Sequence, residues 1–323
     1  RFPARTERYV RAGIPAESKM ETKIIAIVGP TASGKSALAV RLAEKFGGEI
    51  ISADSRQVYR GLNIGSGKIT KREMRGVPHH LLDVANPKNV FTVSQYQKLG
   101  QRAIKKIINR DKLPIICGGT GFYLDTLLNN FPLPPVAPNP KLRTRLEKLS
   151  TETLGAKLEL LDPRRFSDID LLNRPRLIRA IEIATTLGQV PPLGIKGSPL
   201  RDLKDRPWNS LQIGIRLDLK KLRQNIHDRL LKRLRRGLIN EVKKLHENGV
   251  SWKRLEAFGL EYRCVAAYLQ NKLTKKELIE KLEIEIWRYA KRQMTWWKRD
   301  QTIHWVKNYK EAEKLVAKFI RQG

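Results

Sequence analysis

Regular patterning begins with five successive apolar residues, Ile24-Ile25-Ala26-Ile27-Val28, a run without the polar alternation of a half-exposed strand. Such a run predicts a short strand buried on both faces. A glycine-containing loop follows, and Ala37, Leu38, Leu42 and Phe46 then recur at helical spacing until Gly47-Gly48 ends the helix. Residues 49–53 read as a second strand and complete a βαβ unit. Further on, residues 94–109 predict a helix and 114–117 a third buried strand, which runs into Gly118-Gly119-Thr120-Gly121 and another helix. Alternating strands and helices predict an α/β fold, a parallel sheet flanked by helices.

Proline breaks the alternation: five prolines fall within residues 131–140, and a second Pro/Gly-rich stretch spans 188–207. Between them the pattern is helical only, with predicted helices at 142–149, 153–161 and 176–187 and a break at Asp162-Pro163. The division expected is an unpatterned, disordered extension (1–20), a first part of the core (21–137), an all-helical insertion (138–205) and a second part of the core (206–323). In that second part, residues 211–217 read as a strand returning to the sheet. Asp218 then caps one long helix whose apolar stripe runs from Leu219 through Leu230 to Leu245, its other faces carrying basic residues such as Arg229 and Arg233. Thr274-Lys275-Lys276-Glu277 is a capping box that opens a last long helix to about residue 298, and 303–306 reads as a final strand.

Composition changes this picture in one respect. The chain carries 64 Lys+Arg against 32 Asp+Glu, a formal charge of +32, divided evenly between residues 1–200 and 201–323. A charge so large and so spread suits an extended polyanionic partner, the alternative being a Lys-rich solvated surface. The two cysteines, Cys117 and Cys264, build no disulfide framework and predict packing residues in a reducing cytoplasm. No apolar run reaches the roughly 20 residues that cross a bilayer, so no membrane partner is expected. A transit peptide in residues 1–20 is disfavoured by Glu7 and Glu17.

The chemistry concentrates after the predicted strands. Gly29-Pro30-Thr31-Ala32-Ser33-Gly34-Lys35-Ser36 fits G-x-x-x-x-G-K-[ST] and lies between a buried strand and an amphipathic helix, the context that a P-loop requires. There, backbone N–H groups and a helix N-terminus converge on phosphate oxygens, Lys35 neutralises charge, and the Ser36 hydroxyl suits Mg²⁺. Asp54 ends the second strand, where open α/β sheets form their ligand crevice. It reads either as a general base or water-mediated Mg²⁺ ligand, or as the Asx cap of the next turn. Thr120 arrives by the same geometry, with a hydroxyl and N–H groups that could meet a substrate. The strand before Gly118 offers no acidic residue of the kind an ATP-hydrolysing motor uses. His79-His80 with Asp83 reads as capping or core hydrogen bonding rather than as a metal site, and Trp287, Trp296 and Trp297 read mostly as core.

Several of these motifs coincide in order. They are Gly-Pro-Thr-Ala-Ser-Gly-Lys-Ser at 29–36, Asp54-Ser55-Arg56-Gln57-Val58-Tyr59-Arg60-Gly61 with Ile64-Gly65, Pro78-His79-His80-Leu81, Gly118-Gly119-Thr120, and Lys291-Arg292-Gln293-Met294-Thr295-Trp296. Together they resemble the tRNA dimethylallyltransferase (tRNA isopentenyltransferase) family over about residues 23–306. The resemblance implies a P-loop NTPase-like fold and transfer of a dimethylallyl group from dimethylallyl diphosphate to N6 of the adenosine 3′ of the anticodon. It implies Mg²⁺, the anticodon stem-loop of tRNA as partner, a cytoplasmic setting and a monomer. It places the donor diphosphate on Gly29–Ser36, a pattern that also reads as ATP-binding, and assigns catalysis to Asp54, Lys35, Thr120 and Arg263. Asp54, Ser55, Arg56, Gln57, Thr120, Arg143, Arg176 and Arg179 are its implied tRNA contacts. The sequence departs from the family pattern at Pro175, before Arg176-Leu177, and at Glu261-Tyr262-Arg263, where the glycine comes earlier, at Gly259. Two other readings stay open: a small-molecule enzyme on the same loop, such as a nucleotide kinase or adenylate prenyltransferase, and a non-catalytic RNA-binding P-loop protein.

Overall fold

A computed structural model describes residues 22–131, 133–191 and 208–322. The expected disordered extension and most of the second Pro/Gly-rich stretch lie outside them. The chain divides into two compact units, one formed by residues up to Phe91, Leu99–Leu124 and Trp208 onward, the other by Thr92–Lys98 and Asp125–Pro207.

The first unit begins with β1 (Lys23–Val28), α1 (Lys35–Phe46), β2 (Gly48–Ser52), the short α2 (Lys71–Met74) and the two-residue β3 (His79–His80). Helix α3 (Val93–Ile108) leads to β4 (Leu113–Cys117) and α4 (Gly121–Leu128), both helices running across the division between the units. All the strands pair in parallel, in the order β3-β2-β4-β1-β5-β6, with β5 (Asn209–Ile215) and β6 (His304–Val306) supplied by the C-terminal third. The parallel sheet expected from the alternation is therefore present. Strand β1 lies between β4 and β5, and its residues Ile24–Val28 are buried, as a strand covered on both faces demands. Gly47 ends α1 in the left-handed conformation, its N–H returning to the Ala43 carbonyl.

The second unit carries α5 (Pro140–Leu146), α6 (Thr151–Leu161), α7 (Pro163–Asp168) and α8 (Arg174–Leu187). Each opens on a side-chain cap, from Asn139, Ser150, Asp162 and Asn173. Leu146, Leu154, Leu158, Leu177 and Ile181 are the centre of a core of its own. The Asp162-Pro163 break is a joint: Asp162 is buried and accepts hydrogen bonds from both Arg165 N and Val190 N.

The C-terminal third corrects the sequence reading in three places. The single long helix expected after Asp218 is two, α9 (Leu219–Arg235) and α10 (Leu238–Glu247), because Gly237 takes φ 94°, a left-handed turn that no helix continues through. The basic faces of α9 are not uniformly solvated: Arg233 is buried and pairs with the buried Glu261 at 2.5 Å. Three further helices were not foreseen, α11 (Trp252–Phe258), α12 (Leu260–Leu269) and, after α13 (Lys275–Trp297), α14 (Tyr309–Arg321), whose Ala312 and Val316 join the core of the sheet.

Candidate active site

The P-loop gains its curvature from residues with positive φ: Gly29 at 143°, Ala32 at 62° and Gly34 at 90°. Ala32 holds a left-handed conformation that costs an L-residue roughly 1–2 kcal/mol. Gly34 is the N-cap of α1 and has no side chain to satisfy the first amides of the helix, which leaves them for an anion. Lys35 folds over the loop and donates to the Pro30 carbonyl at 2.6 Å. Burial pushes its ammonium down to about 8, against the attraction of Cys117 and with help from the repulsion of Arg229. Ser33 Oγ is buried without a hydrogen-bond partner among the described residues, and Ser36 is exposed in the same cleft.

Asp54 follows β2 and serves as a cap: its Oδ1 accepts from Arg56 N at 2.8 Å and Gln57 N at 3.3 Å. Its second oxygen takes no hydrogen bond among the described residues, and the carboxylate lines the cleft. The turn is fastened from the β4 side. Thr120 Oγ1 accepts from Ser55 N at 3.0 Å, and Thr120 N donates to the Ala53 carbonyl at 3.1 Å. The hydroxyl and N–H that the sequence offered to a substrate are thus already engaged in positioning Asp54. Gly118 permits this approach, since a Cβ there would lie 2.1 Å from the Ala53 carbonyl oxygen.

Two side chains from the C-terminal third complete the site, neither assigned a role by the sequence reading. Gln293, inside the Lys-Arg-Gln-x-Thr-Trp motif, accepts from Thr31 N and donates to the Gly119 carbonyl, both at 2.8 Å, and so ties the P-loop to the loop after β4. Arg229 donates to Thr31 Oγ1 at 3.3 Å. It is half-buried beside Arg233, and desolvation together with that like charge pushes its guanidinium down to about 10. Loop 61–68 packs beneath both arginines, with Gly67 against their guanidiniums. Glu241 holds that loop by accepting from the amides of Asn63, Ile64 and Gly65 at 3.0, 2.6 and 3.0 Å. The Ile64-Gly65 motif is therefore a docking site for a carboxylate.

The resulting cleft encloses about 970 Å³ and gathers Lys35, Ser36, Asp54, Ser55, Arg56, Gln57 and Thr120 with Arg229, Gln293 and the aromatic side chains of Phe258, Tyr289 and Trp296. Arg263 lines it too, with its guanidinium held by Glu285 at 2.9 Å. Arg143, Arg176 and Arg179 belong to the second unit. There Arg143 makes a bidentate pair with the buried Glu182 at 2.7 and 2.6 Å, Arg179 adds a third bond at 3.1 Å, and Arg176 is exposed in the first turn of α8. Pro175 fits that turn, where its missing N–H is not needed. His79 and His80 meet the Val77 carbonyl and Glu49, and no three His, Cys, Asp or Glu side chains gather as a metal site among the described residues. Trp297 is core as expected. Trp296 is not: it is half-buried and walls the cleft beside Gly121. Cys117 is buried beside Lys35, and burial pushes its thiol up to about 11, as suits a packing residue.

The protonated form of Lys35 is the one that binds an anion, and desolvation lowers its affinity for that proton. A bound diphosphate ester restores it, so binding takes up a proton once pH exceeds about 8. Titration calorimetry with an unreactive diphosphate ester is expected to show affinity falling above that pH, by up to tenfold per unit, and level below it. A flat profile to pH 9.5 contradicts the assignment.

Sheet, loop and cleft define a P-loop protein with polar and charged side chains gathered beside the loop. A model described as IPP transferase matches residues 57–300. The chain is 42% identical over 305 residues to tRNA dimethylallyltransferase 1 of Geotalea uraniireducens, covering 92% of this chain and 98% of that protein. It is 45% identical over 284 residues to tRNA dimethylallyltransferase 1 of Syntrophus aciditrophicus, covering 87% and 90%. Among solved structures it is similar to the tRNA isopentenylpyrophosphate transferase of Bacillus halodurans, with a TM-score of 0.69, 34% identity and coverage of 94% and 98%. A eukaryotic dimethylallyltransferase acting on tRNA gives a TM-score of 0.71 at 26% identity, covering 88% of this chain and 74% of that one. The chain belongs to the IPP transferase family.

Proposed function

We propose that this chain transfers the dimethylallyl group of dimethylallyl diphosphate to N6 of the adenosine 3′ of the anticodon in tRNA, releasing diphosphate. The observation that carries the reading is the sharing of one cleft by a P-loop, two half-buried cations and a carboxylate with an uncommitted oxygen. The relatives' names give the reaction class, and the charge of +32 suits a tRNA-sized polyanion.

In this reading the donor diphosphate lies on the open amides of the P-loop, near Lys35 and Arg229. The adenine amine approaches Asp54, its base extruded from the loop and held among Phe258, Tyr289 and Trp296. The amine lone pair attacks C1 of the prenyl group, the C1–O bond breaks, and the electron pair leaves with diphosphate. As the new C–N bond forms, N6 becomes acidic and gives its proton to Asp54. Negative charge grows on the departing oxygen, where Lys35 and Arg229 stabilise it more in the transition state than in the ground state. Thr120, Ser55 and Gln293 hold the two loops in register, and Arg263 offers a further cation at the cleft wall.

Mg²⁺ fits these residues. The Ser36 hydroxyl stands at the helix N-terminus, and a cation that keeps most of its waters and shares phosphate oxygens needs no cluster of protein carboxylates. When bound it would supply charge neutralisation to the leaving diphosphate. Two buried, unpaired cysteines suit a reducing cytoplasm, and among the described residues no helix is long and apolar enough to cross a membrane. The reading treats the chain as acting as a monomer.

Incubation with Mg²⁺, dimethylallyl diphosphate and unmodified tRNA, followed by digestion and mass spectrometry, is expected to yield prenylated adenosine. AMP should be a poor acceptor; equal turnover of AMP would favour the small-molecule enzyme. Absence of prenylated adenosine while tRNA binds would overturn the reaction assigned.

A further inference from the structure

The helices that wall the cleft, α9 and α13, enclose a second groove of about 630 Å³, and no residue that lines it also lines the cleft. At its centre is Trp287, a position whose helical spacing suggested core packing but which the structure leaves half-buried. Arg223 and Lys291 stand over the indole at 5.9 and 5.3 Å from the ring centroid, within cation–π range. The indole N–H has no hydrogen-bond partner among the described residues. Lys220 and Arg288 add positive charge at the rim, and the one carboxylate of the groove, Glu283, is tied to His227 at 2.5 Å.

An aromatic face flanked by Arg223 and Lys291, neither in an ion pair among the described residues, is the chemistry that binds a nucleotide: the ring stacks on a base and the cations meet its phosphate. A protein partner would be poorly served, because charged side chains are depleted at the buried centre of protein interfaces, whereas here they surround the apolar faces of Trp287 and Ile284. We propose that the α9–α13 groove is a stacking site for an unpaired nucleotide of the RNA substrate, with its base on Trp287 and its phosphate between Arg223 and Lys291. The proposal rests on the reading that the substrate is tRNA and adds to it an anchor outside the catalytic cleft.

The test compares parent, Trp287→Ala, Trp287→Phe and the Arg223→Ala/Lys291→Ala double variant, with circular dichroism melts to confirm folding. Fluorescence anisotropy on unmodified tRNA is expected to show Trp287→Ala about fivefold or more weaker, and Trp287→Phe close to the parent. The double variant should also bind more weakly and flatten the slope of log K against log salt by about one unit, as the loss of one neutralised phosphate requires. The KM for dimethylallyl diphosphate should not move. Parent-like tRNA affinity in a folded Trp287→Ala protein overturns the proposal, as does a self-association lost in that variant while tRNA affinity holds. Prenylated adenosine formed by the parent in the same assay keeps a failure of the groove distinct from a failure of the proposed reaction.

Discussion

Asp54→Asn is expected to lower the rate of prenyl transfer by roughly 10²- to 10⁴-fold while leaving tRNA binding within a few-fold of the parent. Asparagine is the informative replacement because the carboxylate has two duties on different oxygens. Oδ1 accepts from Arg56 N and Gln57 N and shapes the turn, a role that an amide oxygen fills equally well. Only the capacity to take a proton is removed. Asp54→Ala would remove both, and a loss of activity there would not separate base from cap. Single-turnover kinetics with saturating tRNA measures the chemical step. A parent-like rate in Asp54→Asn would assign the residue to the turn alone and transfer the search for the base elsewhere in the cleft.

The parts of this site that were legible in the sequence are those whose causes are local. A buried strand, a glycine loop and an amphipathic helix lie within about two dozen residues, and each is fixed by its own composition. Asp54 was legible to the same degree: the strand end placed it, and both of its candidate duties could be stated. What could not be read are partnerships set by the tertiary fold. Gln293 is 262 residues from Thr31, and Arg229 is 198 residues from the same loop, so nothing in the spacing distinguishes them from exposed neighbours on their helices. Arg233 read as one more basic residue off the apolar stripe because its ion-pair partner Glu261 lies on a helix that the pattern did not reveal. Gly237 and α14 are different, since their signals were present. A glycine between two apolar stretches was compatible with a continuous helix, and only its left-handed φ shows the break. Tyr309, Ala312, Val316 and Phe319 recur at helical spacing and could have announced α14.

Arg229→Met is expected to separate stability from function in opposite directions. The guanidinium is half-buried and desolvated, its like-charged neighbour Arg233 is already committed to Glu261, and no carboxylate pairs with Arg229 among the described residues. Burial of a charge without a counter-ion costs folding free energy, which is why its proton affinity falls. A methionine of similar length removes that cost, so the melting temperature of the free protein should hold or rise. Transfer should nevertheless slow by about 10²- to 10³-fold, because the cation positioned for charge on the leaving diphosphate is gone. Donor affinity should fall less than the rate, since the charge that Arg229 meets grows as the C–O bond breaks. A lower melting temperature with parent-like turnover would identify Arg229 as a packing residue; the opposite pair of results identifies a site held in readiness for an anion.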